Sequence, residues 1–523
     1  MHIKNIFCFL GLMGLLAGCG GGVGGGRWSV DQTNATTTPA SMMYGTYADS
    51  SHHRMAVLLP TTGDAAATGR AIRTSVEMAV LATGAENLDV SFFDTARGTA
   101  AINEALYSDP DVIVGPLFAN DARTLRELKS SGLPVLSFTS DATAVGDGVM
   151  TMALMPTNSV EAIVREMKSD GVHNFVALAP DTESGHLLAG AARAVANAYN
   201  VPMVGAFFYA EKNTDSIKNA TQGAAMNVAR TAAHTRAREI LSDVLTNESL
   251  TSIERSSVRR QMDKLSKTDV LGNLPYDAVL FLGTGDDTKS LASFMRYFGV
   301  GAGDARFYGT AMWDGADIAS DITLSGAKYA TLPDMNENFV AKYERIAGVK
   351  PNRLASFGYD AANMAIGMMY SDKSNAAYLL DPSGYVGNDG AIRLRPTGDS
   401  ERALRIMQLT GDGEIKVVKN AATDFMSPLY NIEQRHIMPI GEMSLQTRGV
   451  NPMNYISLPE RIRGKYHAKT YGANMTAQTN AQLVDVVTML PEDDRDPIAT
   501  EDYKPVKLAP VVRTYIDSIE VEE

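Results

Sequence analysis

Short apolar runs alternate with amphipathic stretches along most of the chain. The runs lie at 55–59, 88–93, 111–114, 134–138, 175–179, 203–208, 278–282 and 307–309. Several are apolar at consecutive positions, the pattern of parallel strands covered on both faces. Between them the period lengthens: in 70–83, Ile72, Val76 and Val80 recur at helical spacing while Arg73 and Glu77 fall elsewhere. Strand and helix in alternation predict an α/β fold with parallel sheets flanked by helices. One series ends near Thr139 and another starts near Phe175, joined through the strand-like VMTMALMP, so two lobes are expected.

Two stretches break the rhythm. Residues 211–272 read as helices only, with Ile240, Leu241, Val244 and Leu245 on one and Val258, Met262 and Leu265 on another, opened by the capping pair Thr251 and Glu254. This is a helical insertion between two strands of the second lobe. From 421 the pattern fails again, and the chain ends in the acidic PEDDRDPIATEDY and SIEVEE. A partly disordered extension is expected over 421–523. Within it NYISLPERIRGKYHAKTYG, which combines tyrosines with basic residues, is the segment most suited to docking.

The N-terminus sets the compartment. MHIKNIFCFLGLMGLLAGC has Lys4 in a short polar start and then an apolar stretch over 6–16, the layout of a secretory signal and too short to span a bilayer comfortably. Leu16-Ala17-Gly18-Cys19 resembles the bacterial lipobox, which implies cleavage before Cys19 and its lipidation. Of the 2 Cys, Cys8 would be removed and Cys19 lipidated, so the mature chain has no disulfide. The Gly-rich and polar residues 20–53 have the composition of a flexible tether. Gly20 after the cysteine favours the outer membrane by the same resemblance, with the domain facing the periplasm. A net charge of -13 argues against a nucleic-acid partner.

Little of the sequence suggests reaction chemistry. DTESGH, 181–186, places Ser184 two residues from His186, but a serine nucleophile needs its base in reach and a third group orienting it, and the glycine elbow of hydrolases is absent. On a strand-to-helix turn the same residues cap a helix. TTGDAAATG has Gly63 and Gly69 six apart without the middle glycine of a dinucleotide fingerprint. His52-His53 lacks ligand spacing. No catalytic residue, cofactor or metal site is expected.

The stretches VLLPTTGDAAATGRAIRTSVEMAV, VIVGPLFANDARTLRELKSSGLPVLSFTSDAT and FVALAPDTESG resemble, in content and order, the type I periplasmic-binding fold of bacterial amino-acid receptors such as those for Leu, Ile and Val. YGTAMWDGAD, RLASFGYDAANMA, LLDPSGYVGNDGAIRLRPTGDSERALRIMQL and the SFTSD loop are similar to the branch called penicillin-binding protein activators. The resemblance covers 54–420. It implies a first lobe of 54–150 and 324–380, a second of 151–322 and 385–420, and three hinge crossovers near 150–156, 314–323 and 380–387.

The resemblance also implies where a ligand would sit. Receptors of this fold hold a ligand carboxylate with small hydroxyl residues and backbone N–H groups after the third and fourth strands. Here those loops are Leu117-Phe118-Ala119-Asn120 and Thr139-Ser140-Asp141, with Thr62 on the turn after the first strand. The first loop has no hydroxyl, and Asp141 puts an anion where a carboxylate would bind, which is repulsive unless a cation intervenes. Ser184 stands where an aromatic commonly reaches in from the second lobe. Trp313-Asp314 and Tyr359-Asp360 carry an aromatic and an acid that could line a pocket or cap a hinge. Two functions stay open: a non-catalytic envelope lipoprotein that activates a peptidoglycan synthase (a penicillin-binding protein), or a solute-binding lipoprotein of an ABC-type uptake system for an amino acid or another small polar molecule.

Overall fold

A computed structural model of the chain describes residues 52–423, 425, 437–445 and 449–473. The expected signal, Cys19, the tether to residue 51 and the acidic end from 474 lie outside these residues. No described helix is long and apolar enough to cross a membrane.

The first lobe begins with β1 (His53–Leu59), α1 (Ala66–Thr83), β2 (Leu88–Asp94), α2 (Thr99–Tyr107), β3 (Val112–Val114), α3 (Ala119–Leu128), β4 (Val135–Ser137) and β5 (Val149–Thr151). The strands form a parallel sheet in the order β2-β1-β3-β4-β5. Val57 and Leu59 of β1 face Ile72 and Val76 of α1, while Ala56 and Leu58 pack with Ile102 of α2 and Leu125 of α3. Both faces are thus covered, which is why the run is apolar at every position.

The chain then enters the second lobe through α4 (Pro156–Ser169), β6 (Phe175–Pro180), α5 (Glu183–Tyr199), β7 (Met203–Tyr209), α6 (Thr214–Ala224), α7 (Asn227–Leu245), α8 (Ser252–Leu265), β8 (Ala278–Phe281), α9 (Gly285–Tyr297), β9 (Arg306–Gly309) and β10 (Lys328–Thr331). It returns to the first lobe as α10 (Glu337–Ala347), α11 (Arg353–Met369) and α12 (Asn375–Leu379). A small antiparallel sheet of β11 (Tyr385–Gly387), β12 (Gly390–Leu394) and β13 (Ser400–Arg402) follows. β14 (Arg405–Leu409) and β15 (Ile415–Lys419) complete the second sheet, whose order is β15-β14-β10-β9-β8-β6-β7.

All eight apolar runs are strands, but two expected boundaries move. Lys328–Thr331 is a strand of the second sheet, so the middle crossing falls after 331 and not at 314–323. Residues 385–402 pack Tyr385, Ile392 and Leu394 into the core of the first lobe, so the third crossing falls between β13 and β14 instead of near 380–387. Both misreadings have an electrostatic cause. β10 starts on Lys328, whose ammonium is held by Glu166 at 2.8 Å and Asp170 at 2.7 Å on and just after α4. The small sheet hides its strands behind Arg393 and Arg395, both paired to Glu401, at 2.6 and 3.2 Å.

The helical stretch divides as well. Ile217, Ala220 and Ala224 of α6 belong to the core of the second lobe. Residues 235–267 group with 451–473 in a separate compact unit. In that unit α8 opens with a full capping box: the Thr251 hydroxyl accepts from the Glu254 amide at 3.2 Å and Glu254 accepts from the Thr251 amide at 2.9 Å. Against it lies α13 (Glu460–Ala473), where Arg461 donates to Glu254 at 2.8 Å and the Tyr466 hydroxyl donates to Asp243 at 2.6 Å. With Ile456, Leu458 and Ile462 buried, the basic, tyrosine-bearing segment docks on helices of its own chain. Arg461, then the Thr251 amide, hold the Glu254 carboxyl down at about 2.

One local device recurs in both lobes. β1 runs into Pro60 and β6 ends on Pro180, and the first turns of the helices that follow carry Gly69 and Gly185. A Cβ on Gly69 would lie 1.9 Å from the Pro60 carbonyl oxygen, and one on Gly185 would lie 2.0 Å from that of Pro180. The second glycine of TTGDAAATG and the glycine of DTESGH thus serve close helix-to-strand packing, while Gly63 turns the loop at a φ of 74°. Gly69→Ala and Gly185→Ala are each expected to destabilise their lobe by roughly 1–3 kcal/mol, as overpacking does. Urea unfolding of each variant checks this, and a midpoint equal to the parent's would refute it.

Candidate functional site

The two lobes leave a cleft of about 730 Å³ between them. α1 brings Thr68, the turn into α3 brings Leu117, Phe118 and Ala119, and the loop after β4 brings Phe138, Thr139, Ser140 and Asp141. α11 adds Arg353, Leu354 and Phe357, and the first two crossings add Ala153, Leu154 and Leu332. The second lobe contributes Ala311, Asp314 and, at the end of β10, Thr331. Six residues picked out in the sequence therefore meet in one place: Phe118, Ala119, Thr139, Ser140, Asp141 and Asp314.

Thr62, Ser184 and Trp313 do not line the cleft. The Thr62 hydroxyl donates to Asp94 at 2.6 Å, which ties the turn after β1 to the end of β2. Ser184 lies exposed in the first turn of α5, behind the Thr182 N-cap. Trp313 is fully buried in the second lobe, 5.8 Å from Tyr329 and 6.2 Å from Phe281 between ring centroids. The short turn capped by Thr310 swings the indole inward over Gly309, where a Cβ would come within 2.2 Å of it, and leaves its neighbour Asp314 facing out. Tyr359 and Asp360 are buried within α11.

The polar groups of the cleft are largely engaged with one another. Asp141 accepts from the Thr143 amide at 2.8 Å and is paired with Arg123 of α3, which also reaches Thr143 at 2.9 Å and Asn120 at 2.9 Å. Arg123 is the cation that the sequence left unnamed beside Asp141. The Thr139 hydroxyl accepts from the Asp141 amide at 3.1 Å, and its carbonyl accepts from Thr151 at 2.5 Å. On the facing side Arg353 is paired with the buried Asp389, donates to the Pro333 carbonyl at 2.7 Å and lies 3.7 Å from Asp314. Arg353 opens the activator-like stretch RLASFGYDAANMA, but nothing in that resemblance assigned it to the cleft.

Beneath the cleft a buried polar cluster joins α11 to the small sheet. Asp360 accepts from the Asn388 amide at 2.9 Å and its side-chain amide at 2.7 Å, and Asp389 accepts from Ser356. Arg402 donates to the Met152 carbonyl and lies 4.0 Å over the Phe357 ring. Burial, then the nearby Asp389 charge, push the Asp360 carboxyl up to about 7 against the Asn388 hydrogen bonds and Arg402. Two neighbouring contacts complete the tie between crossings: Ser400 donates to the Ala153 carbonyl at 2.9 Å, and Arg405 grips Asp334 through two bonds of 2.6 and 2.7 Å.

DTESGH does not assemble a nucleophile and base. Both ring nitrogens of His186 are taken, by Asp181 at 2.8 Å and by the Ile440 carbonyl at 2.7 Å. Among the described residues no group of three His, Cys, Asp or Glu is placed to hold a metal ion.

The raised Asp360 carboxyl has a testable consequence. The folded chain keeps a proton that the unfolded chain has lost, so stability from this group falls as pH rises from about 4 to about 7 and is level above that. Asp360→Asn keeps an acceptor for Asn388 without the charge. Urea unfolding at pH 5 and pH 8 is expected to show a smaller pH difference in the variant than in the parent; an unchanged difference would refute the assignment.

Comparison with known proteins places this geometry. A putative branched-chain amino acid ABC transporter protein from Rhodospirillum rubrum superposes with TM-score 0.52 and 15% identity, over 70% of this chain and 100% of its own. The C-domain of LpoA (YraM) from Haemophilus influenzae, a regulator of PBP1A, superposes with TM-score 0.47 and 17% identity, over 70% of this chain and 99% of its own. Full-length LpoA from that organism gives 0.49 and 16%, over 72% of this chain and 62% of its own. At these identities the likeness is one of fold. No curated protein matches the sequence significantly. The family model for periplasmic binding proteins matches residues 53–371, more than half of the chain, and the chain therefore belongs to the periplasmic binding protein family.

Proposed function

We propose that the protein is a non-catalytic envelope lipoprotein, anchored through Cys19 and facing the periplasm, whose receptor-like domain activates a peptidoglycan synthase. The observation that carries this reading is the state of the cleft. The charges that would meet a free amino acid are already paired inside the protein, Asp141 with Arg123 and Arg353 with Asp389, with Asp314 3.7 Å from Arg353. A ligand would have to break those pairs while burying its own charges, and unpaired buried charge is costly. The two arginines that tie the crossings, Arg402 to Met152 and Arg405 to Asp334, also oppose the hinge motion a transport receptor uses. The activator-like stretches and the lipobox of the sequence agree with this assignment.

A second reading keeps the cleft as a receptor. Its volume suits a small molecule, and Ser140 and Thr68 present hydroxyls with no side-chain partner among the described residues. That ligand would be a small polar solute handed to a transporter.

The two readings separate in one experiment. The mature chain, with Cys19 replaced by serine, is expected to raise glycan polymerisation or cross-linking by a purified periplasmic synthase, and to show no thermal shift with a panel of amino acids. A clear shift with one amino acid, lost in Thr139→Ala or Arg353→Ala, together with no effect on any synthase, would favour the receptor.

A further inference from the structure

Residues 437–445 form a strap along the outer edge of the second sheet. β7 is the last strand on that side. Met443 exchanges two backbone bonds with Ala206 of β7, at 3.0 and 2.8 Å. Ile440 donates its amide to the His186 carbonyl at 3.1 Å and is buried against the lobe. The Met438 carbonyl passes so close to α5 that a Cβ on Gly190 would lie 2.0 Å from it.

We propose that His186 is a proton-operated latch, fastening this strap across the sheet edge while its imidazole carries both protons and loosening it when one is lost. Nδ1 faces the Ile440 carbonyl at 2.7 Å and Nε2 faces Asp181 at 2.8 Å. A carbonyl and a carboxylate only accept, so each contact needs an N–H, and only the imidazolium has two. The Phe208 ring of β7 stacks on the imidazole at 4.0 Å and fixes its plane. In the neutral ring one nitrogen must turn a lone pair toward an oxygen. One of the two contacts then becomes repulsive, and either the strap or the Asp181 loop lets go.

The surroundings favour the charged form. Asp181 faces the ring from the loop before α5, and Glu183 lies in the first turn of the same helix. β7 presents Phe208 and has Tyr209 as its sole ionisable residue, and the strap carries Glu442 and no basic residue. The N-terminal end of α5 acts in the opposite sense. The Ile440 carbonyl first, and Asp181 second, raise the imidazole above its ordinary 6.5. A raised basic group gives stability that is complete below its free value and is lost as pH rises through the raised value, so the strap is tight in mild acid and loose in mild base. Ile437 and Ile440 are buried and Met443 and Leu445 pack on the two cores of the lobe, so losing the latch loosens the strap without detaching it.

The test uses the whole mature chain and hydrogen exchange of the Ala206, Ile440 and Met443 amides, corrected for intrinsic rates, between pH 5.5 and 8.5. Protection is expected to fall by up to about tenfold per pH unit across the transition. Asp181→Asn is expected to move that transition to lower pH. His186→Gln is expected to give, at pH 6, the low protection that the parent reaches only in base. Should His186→Gln fail to fold, Asp181→Asn alone decides. Protection that is independent of pH in the parent, or an unmoved transition in Asp181→Asn, would overturn the latch.

Discussion

The two-lobed arrangement depends on one buried guanidinium. Arg402 leaves the small antiparallel sheet just before the third crossing, stacks on Phe357 and donates to the Met152 carbonyl on the first crossing. Burying a guanidinium is costly unless negative charge lies close; Asp389 supplies it, and Asp360 adds to it only where its raised carboxyl has lost its proton. Removing either partner would leave a charge with nowhere to go, so cluster, crossing and cleft floor stand together. Three residues on, Arg405 binds Asp334 beside the second crossing, and one short segment thus ties all three connections between the lobes.

The cleft inherits this rigidity. A binding protein needs two walls that close on a ligand and polar groups left open to receive it. Here one wall is most of the site, since among the described residues the second lobe gives only Ala311, Asp314 and Thr331 to the lining, and the charged side chains are spent on each other. What remains open is mostly apolar, with Leu117, Phe118, Leu154, Leu332, Leu354 and Phe357 around a few hydroxyls. A fold that evolved around ligand capture can serve as a scaffold when its cleft is internally satisfied, because function lies in the site and not in the fold. The helical hairpin and the basic C-terminal segment make a second compact unit.

Much of the fold was legible because it rests on burial along one dimension. Consecutive β-branched residues such as Val112-Ile113-Val114, stopped at Gly115-Pro116, read as a short strand covered on both faces, and the Thr251–Glu254 pair marks a helix start with its own hydrogen bonds. Lys328 and the Arg393–Glu401 pair defeated the same logic. Charges on a strand look like loop until a partner from a distant element neutralises them, Glu166 in one case and a neighbouring strand in the other. Of the cleft, the loops after β3 and β4 were readable through the family resemblance, whereas Arg353 and Arg123 were not, since only the folded helices aim them at Asp389 and Asp141.

The fate of DTESGH draws the line between the two kinds of information. By itself the sequence determined most of the strand and helix order, because this follows from residue size, apolar period and local capping within a few positions, and it carried the family through the resemblance of its motifs. It could not decide whether His186 serves a serine, caps a helix or does something else. Its two partners are Asp181, five residues back, and Ile440, 254 residues ahead. Nor could it decide which of Trp313 and Asp314 faces the cleft. Those choices turn on where side chains from distant segments meet, and only tertiary packing sets which acceptor stands opposite each nitrogen and which ring is driven into the core.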